Sequence, residues 1–363
     1  TMSLETKAYV CPEKGAKLSL QTITLPPLKT TQCEIKMECC GLCHTDISMR
    51  DNQWGVADYP LVAGHEGVGI ISTVGAEVKN LKVGDRVGVA WIRDSCRSCS
   101  ACGAGRENIC QKGYQGTFLS KSAGCWGSSP DKFNEHGGCF SQVMRVEEKF
   151  CFKIPENLES NWVAPMMCGG ATVWEPLIDY VKPGSKVGVV SIGGLGTAAI
   201  KLAKLQGAII TAFSRGTGKK GAALACGAHS FVDLKNEAEM KAAAGSLDLI
   251  IDTCPVNSDV GPFMDLLTFD GVYCRVGIPH ASDQGLSYNW IPLIFTQKKI
   301  VGSIVLGSAR MNQMLDVVSA NKAFMQADMP DWKIQEMPFD QINEAMEQLL
   351  SGATKGWRVV LKW

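Results

Sequence analysis

Residues 186–196 place the tightest limit on how this chain can fold. Lys186-Val187-Gly188-Val189-Val190-Ser191-Ile192 is an apolar strand, and Gly193-Gly194-Leu195-Gly196 turns it directly into a helical pattern over residues 197–206. A run this apolar suits the middle of a parallel sheet, and parallel strands need crossover connections, usually helices. Strand patterns recur at 209–213, 230–233, 247–252, 271–277 and 300–305, with a short helical stretch at 222–226. Six strands in this alternation predict an α/β architecture with a doubly wound, Rossmann-type dinucleotide-binding domain. At 363 residues the chain is too long for one ordinary domain. Residues 8–10, 18–20, 33–39, 68–75 and 85–90 read as short strands separated by turns, and so predict a β-rich second domain or barrel. Alternation in 33–39 puts Cys33, Ile35, Met37 and Cys39 on one face. Residues 113–138, rich in Gly, Ser and Lys with isolated Trp126 and Phe133, read as a mobile surface loop. Helices are expected around 312–319 and 339–350, with a last strand at 357–361.

The β-rich part carries the metal chemistry. The chain has 16 cysteines. Disulfide scaffolds are usually short and secreted, whereas spaced cysteines in a long chain more often hold metal. Cys96, Cys99, Cys102 and Cys110 form a C-x2-C-x2-C-x7-C run. Four thiolates this close in sequence predict a closed, structural zinc site. An iron–sulfur cluster takes the same ligands, and spacing does not separate the two. A second constellation is Gly41-Leu42-Cys43-His44-Thr45-Asp46, followed by His65 and Glu66 and, much later, by Cys168. We read Cys43, His65 and Cys168 as ligands of one zinc whose fourth position is left for water or a substrate oxygen, the pattern of a catalytic site. Formal net charge is zero, which argues against nucleic acid or a membrane surface as the main partner. The first thirty residues hold no apolar leader, and no apolar run reaches membrane-span length. Thr1 before Met2 reads as a remnant of an expression tag, and a cytoplasmic protein is expected.

The stretch Ser191-Ile192-Gly193-Gly194-Leu195-Gly196 is a variant of the G-x-G-x-x-G fingerprint, with serine at the first glycine. It leaves a strand and opens a helix, where backbone N–H groups and the helix dipole favour a pyrophosphate. At the end of the next strand an NAD enzyme carries a carboxylate for the ribose hydroxyls. This chain has Ser214 there, followed by Arg215, Lys219 and Lys220. The missing carboxylate and the added cations favour NADP(H).

In their order and spacing these motifs resemble the medium-chain, zinc-dependent alcohol dehydrogenases, within the cinnamyl alcohol dehydrogenase group. Pro165-Met166-Met167-Cys168-Gly169-Gly170-Ala171-Thr172-Val173 and Leu249-Ile250-Ile251-Asp252-Thr253 complete a match running over nearly the whole length. The resemblance implies a GroES-like catalytic domain over 1–168, completed by 308–363, around a Rossmann cofactor domain over 169–307. It implies a homodimer formed by pairing the 300–305 strands, and reduction of an aldehyde to a primary alcohol, or the reverse. It assigns Thr45 as proton donor to the substrate oxygen, and Asp46 and Glu66 as supports of the ligand set, with Glu66 also a transient ligand. His44 would lie over the cofactor phosphates. Thr172, Gly193, Gly194, Leu195, Thr253, Gly277, Ile278, Ser303 and Val305 would contact the cofactor. Each also has a plainer reading. Thr45 could bond only backbone, and His44 could be a structural donor.

Where relatives often carry a relay histidine, five positions beyond the first zinc cysteine, this chain has Ser48. A hydroxyl has no pKa near neutrality, so Ser48 opens a second reading as a reductase of conjugated C=C or iminium bonds. A non-catalytic NADP-binding protein is a third. Trp54, Trp91 and Trp174 are candidate substrate walls, with Ile278 and Trp290 further candidates; aromatic walls suit conjugated or bulky aldehydes. Core packing is the alternative for each.

Overall fold

The computed structural model describes residues 2–118, 137–283, 285–327, 333–354 and 358–363. The greater part of the loop expected at 113–138, with Trp126 and Phe133, lies outside the described residues. Its first residues form a strand, Tyr114–Gly116, paired with Ile92–Ser95. The chain divides into two compact units.

The first unit comprises Thr1–Ala171, Leu306–Lys322 and Ile334–Trp363. Its largest sheet runs in the order Ile334–Pro338, Arg358–Lys362, Gln32–Gly41, Gly67–Val74, Arg86–Val89, Phe152–Lys153, and Val143–Glu147 also pairs with Gln32–Gly41. Gln32–Gly41 is the axis of this sheet. Cys33, Ile35, Met37 and Cys39 are buried on it as alternation predicts, while Lys36 and Glu38 are exposed. Antiparallel register then does the positioning. Cys40 opposes Gly67, and Gly41 opposes Val360. The exit of one strand and the entries of two others therefore meet at one end of the sheet. Residues 42–46, 65–66 and 358 are brought together there, although Glu66 and Arg358 lie 292 positions apart.

The second unit comprises Thr172–Val305 and Ala323–Lys333. Its six strands, Lys186–Val190, Ile209–Ser214, Ser230–Asp233, Leu247–Asp252, Leu267–Arg275 and Lys299–Gly302, are all parallel. Numbered along the chain they lie in the order 3-2-1-4-5-6, the doubly wound arrangement. Val190, Phe213, Ile250, Phe263, Met264 and Tyr273 share its core. The resemblance put all of 308–363 with the catalytic part, yet Ala323–Lys333 groups with this second unit. Lys201 supplies a physical reason. Buried on helix Gly194–Leu205, its ammonium donates to the carbonyls of Phe324 (2.9 Å) and Ala327 and lies 4.5 Å from the centroid of the Phe324 ring. A buried ammonium needs such partners, and these lie on the returning segment.

Among the described residues no helix is long and apolar enough to cross a membrane.

Candidate active site

Cys43 is the N-cap of a short helix, His44–Arg50, which the residue pattern does not announce. Its sulfur accepts from the Thr45 N–H at 3.5 Å, and its own N–H donates to Asp46 Oδ2 at 3.0 Å. This is a capping box with a thiol in the serine position. Asp46 is fully buried, and its Oδ1 also accepts the Gly64 N–H and lies 3.0 Å from His65 Nδ1. Asp46 thus orients the imidazole through Nδ1, the arrangement in which a carboxylate fixes a metal-binding histidine. The other ring nitrogen, His65 Nε2, is buried with no hydrogen-bond partner. A buried polar atom without a partner is expensive. It is accounted for when an ion takes the lone pair.

The neighbours fit such an ion. Ligand atoms of Cys43, His65, Glu66 and Cys168 all lie within 4.8 Å of one another. Cys168 caps the turn Ala164–Met167, and its sulfur is 4.0 Å from that of Cys43. With Zn–S bonds of about 2.3 Å, two sulfurs on one tetrahedral ion stand roughly 3.8 Å apart. The Cys168 thiol holds Cys43 well below the usual thiol range, with His65 adding to the effect against burial, and Cys168, the donor, is pushed up. Burial alone would lower the His65 pKa, but Asp46 and Cys43 raise it. Burial pushes Glu66 up to about 8 against the opposing pull of Arg358. Arg358 Nη2 touches both Glu66 oxygens, at 2.7 and 2.8 Å. Nothing in the local sequence signals Arg358; strand register alone delivers it.

Thr45 is half-buried and His44 exposed on the first turn of the helix. Ser48 is buried, and its hydroxyl donates to Gln53 Oε1 at 2.9 Å. Trp91, a candidate substrate wall, is 5% exposed. Its ring meets His65 edge-on at 5.2 Å, and its N–H donates to Tyr114. Its visible work is packing the histidine. Trp174 is 2% exposed on helix Gly169–Tyr180, Trp54 is half-buried, and Trp290 is 72% exposed.

The four-cysteine group is likewise gathered, with its sulfurs mutually within 4.8 Å. The Cys96–Cys102 and Cys99–Cys110 sulfur distances are 3.8 and 4.0 Å. Backbone N–H groups of Ser98 and Cys99 pull Cys96 down to about 5, and those of Cys102 and Gln111 lower Cys99. Amides directed at these two sulfurs favour thiolate, the form that binds metal, whereas burial raises Cys110 and pushes Cys102 up to about 12.

In the second unit the expected cofactor residues, apart from Thr172 on helix Gly169–Tyr180, lie at or follow the carboxyl ends of parallel strands, the side on which such sheets bind ligands. Gly193 caps helix Gly194–Leu205, whose first residues include Leu195, and a Cβ added at Gly193 would meet open space. Gly196 has the opposite constraint, since a Cβ there would lie 2.1 Å from the Ser191 carbonyl oxygen. Thr253 donates its hydroxyl to the carbonyls of Val190 and Ser191. Ser214 ends its strand half-buried, Arg215 is exposed and Lys219 half-buried. Gly277 donates its N–H to Asp252 O, and Ile278 is 37% exposed. Thr172 and Val305 are buried, and Ser303 Oγ is buried without a hydrogen-bond partner. Ser191 adopts φ 71°, a left-handed conformation that strains any residue with a Cβ. Ser191→Gly should therefore raise stability by about 1 kcal/mol; thermal unfolding without cofactor checks this, and a lower Tm would refute the strain.

Comparison with known proteins fits this geometry. Residues 29–156 match the family model of the alcohol dehydrogenase GroES-like domain, and residues 194–320 that of the zinc-binding dehydrogenases. The chain belongs to the medium-chain zinc alcohol dehydrogenases, in the cinnamyl alcohol dehydrogenase group. Cinnamyl alcohol dehydrogenase 7 of Arabidopsis thaliana is 39% identical to it, over 87% of this chain and 84% of that protein. Vomilenine reductase of Rauvolfia serpentina is 36% identical, over 89% and 85%. Among solved structures, a cinnamyl alcohol dehydrogenase of Sorghum bicolor superposes with TM-score 0.87 at 32% identity, covering 99% of this chain and 98% of that one. The Helicobacter pylori enzyme complexed with NADP(H) superposes with TM-score 0.86 at 28% identity, covering 99% of each.

Proposed function

We propose that the protein is an NADP(H)-linked, zinc-dependent alcohol dehydrogenase that reduces aromatic or conjugated aldehydes, and runs the reverse reaction. One observation carries the reading: two sulfurs 4.0 Å apart stand beside a buried, partnerless His65 Nε2. Cys43, His65 and Cys168 would hold a zinc ion, which supplies Lewis acidity toward the carbonyl oxygen when bound. The remaining chemistry belongs to this chain's own residues. Asp46 fixes the imidazole. Arg358 holds both oxygens of the Glu66 carboxyl group through Nη2. The Thr45 hydroxyl would donate the proton that the product oxygen needs, and a bound nicotinamide would supply the hydride. The balance is aldehyde, NADPH and one proton giving alcohol and NADP+. Ser214 presents no carboxylate to a 2′-phosphate, and Arg215 and Lys219 present cations. The relatives named for cinnamyl alcohol and the neighbour bound to NADP(H) support the same reading.

Ser48 favours a second reading. Its hydroxyl is spent on Gln53, and no group titrating near neutrality stands at that relay position. That reading is reduction of a conjugated C=C or C=N bond, and one relative is named as a reductase, vomilenine reductase. A second copy of the chain is the partner we infer. Strand Lys299–Gly302 ends its sheet with one neighbour, and the preceding helix, Trp290–Thr296, exposes Trp290, Ile291, Ile294 and Phe295 by 64–82%.

NADPH oxidation with cinnamaldehydes, benzaldehydes, alkanals and enones tests these readings, with zinc counted and mass measured by sedimentation. Primary alcohols from conjugated aldehydes, about two zinc ions per chain, a dimer, and an NADH KM more than about tenfold higher are expected. Saturated aldehydes as products would select the second reading. Equal use of NADH would remove the phosphate role of Arg215 and Lys219.

A further inference from the structure

The four-cysteine lobe holds a buried carboxylate that no ligand role uses. Glu107 lies between Cys102 and Cys110 and is fully buried. Its Oε2 accepts the Ser308 N–H at 2.6 Å, and its Oε1 accepts the Ser308 hydroxyl at 3.0 Å and faces Lys149 Nζ at 2.7 Å. Lys149 also donates to the Cys102 carbonyl. Ser308 opens helix Ser308–Ala320, whose N-cap, Gly307, has no side chain with which to cap it. Glu107 therefore caps that helix from another part of the chain, where an anion is favoured. Around it the two backbones lie in close approach. Ala309 N–H reaches Gly105 O at 3.3 Å, and a Cβ on Gly307 would lie 2.1 Å from that same oxygen. This junction follows directly on Val305 and Leu306, where the chain passes from the second unit back into the first.

We propose that Glu107 is a positioning residue: it anchors the return of the chain on the four-cysteine lobe and thereby fixes Ser303 and Val305, which precede Ser308 by five and three residues, for the cofactor. The proposal rests on the reading of Ser303 and Val305 as cofactor contacts.

The test compares the zinc-loaded wild type with Glu107→Gln, Ser308→Ala, their double variant, Ser303→Ala and Lys149→Met. NADPH affinity is measured by fluorescence titration, together with kcat, zinc content and hydrogen exchange over 306–311. Glu107→Gln and Ser308→Ala should each weaken NADPH binding by about fivefold or more, with kcat at saturating cofactor within about twofold, zinc content unchanged and exchange over 306–311 faster. The double variant should be no weaker than the worse single one, because both cut the same link. Lys149→Met removes the cation that faces the buried Glu107 carboxylate and should weaken NADPH binding in the same direction. If Ser303→Ala weakens binding while Glu107→Gln and Ser308→Ala do not, the anchor is overturned and the cofactor reading stands. If none of the three weakens it, the cofactor reading falls and the proposal with it.

Discussion

Cys43→Ser is expected to lower kcat/KM for aldehyde reduction by about 10^3-fold or more and to reduce zinc from about two ions per chain to about one. The size follows from what the site is asked to do. Stabilising the charge that develops on a carbonyl oxygen is worth several kcal/mol, and each 1.4 kcal/mol is about tenfold in rate. Serine keeps the N-cap of His44–Arg50, because its hydroxyl can accept the Thr45 N–H as the Cys43 sulfur does. The Tm should therefore stay close to the wild-type value, which separates loss of the ion from loss of the fold. Retention of both ions, or activity within tenfold of wild type, would remove Cys43 from the ligand set. The four-cysteine lobe is an internal control, since its ion is held in another part of the first unit and should be unaffected.

Arg275→Leu should destabilise the second unit by about 3 kcal/mol, a fall in Tm on the order of 10 °C. Arg275 Nη1 lies 2.6 Å from Asp252 Oδ2, and the Asp252 carboxylate is fully buried. Tyr273 donates its hydroxyl to the same oxygen. The remaining guanidinium nitrogens hold carbonyls, Nε that of Gly277 and Nη2 that of Val256, each at 2.8 Å. Removing the cation leaves a buried carboxylate whose charge is uncompensated, which costs far more than the pair gains over an apolar substitute. The side chain also ties together the segments after two adjacent strands, where Thr253 and Gly277 lie. Weaker NADPH binding should accompany the lower Tm. Differential scanning calorimetry without cofactor is the check, and a shift of less than about 3 °C would show that the network carries little of the unit's stability.

Much of this protein is legible along the chain because the signals are local. Period-2 alternation located Gln32–Gly41, and apolar runs located the six parallel strands. The four cysteines announce their site because the ligands lie within fifteen positions of one another. Cys43, His65 and Cys168 are spread over 126 positions, and spacing alone carries little there; the surrounding motifs nominate them. Helix His44–Arg50 was hidden because its seven residues are too few for a periodicity and its cap is a thiol.

Other features depend on contacts between distant segments. Arg358 reaches Glu66 because Gly41 opposes Val360 in one register and Cys40 opposes Gly67 in another. Trp91 reads equally as a pocket wall or a core residue in the sequence, and only the fold puts its ring edge-on against His65. Ala323–Lys333 joins the second unit, where the buried ammonium of Lys201 finds its carbonyl partners. The sequence by itself pointed to the six parallel strands, the residue types of the ligand sets and the class of cofactor, since each depends on residue type and near-neighbour spacing, but not to the strands Ile92–Ser95, Val143–Glu147 or Ile334–Pro338. The tertiary structure decided which partners the buried carboxyl groups find: Arg358 for Glu66, Arg275 for Asp252, and the Ser308 N–H and hydroxyl for Glu107. Partner choice in a low-dielectric interior is set by strand register and helix ends that lie tens to hundreds of residues apart, and no local pattern encodes that pairing.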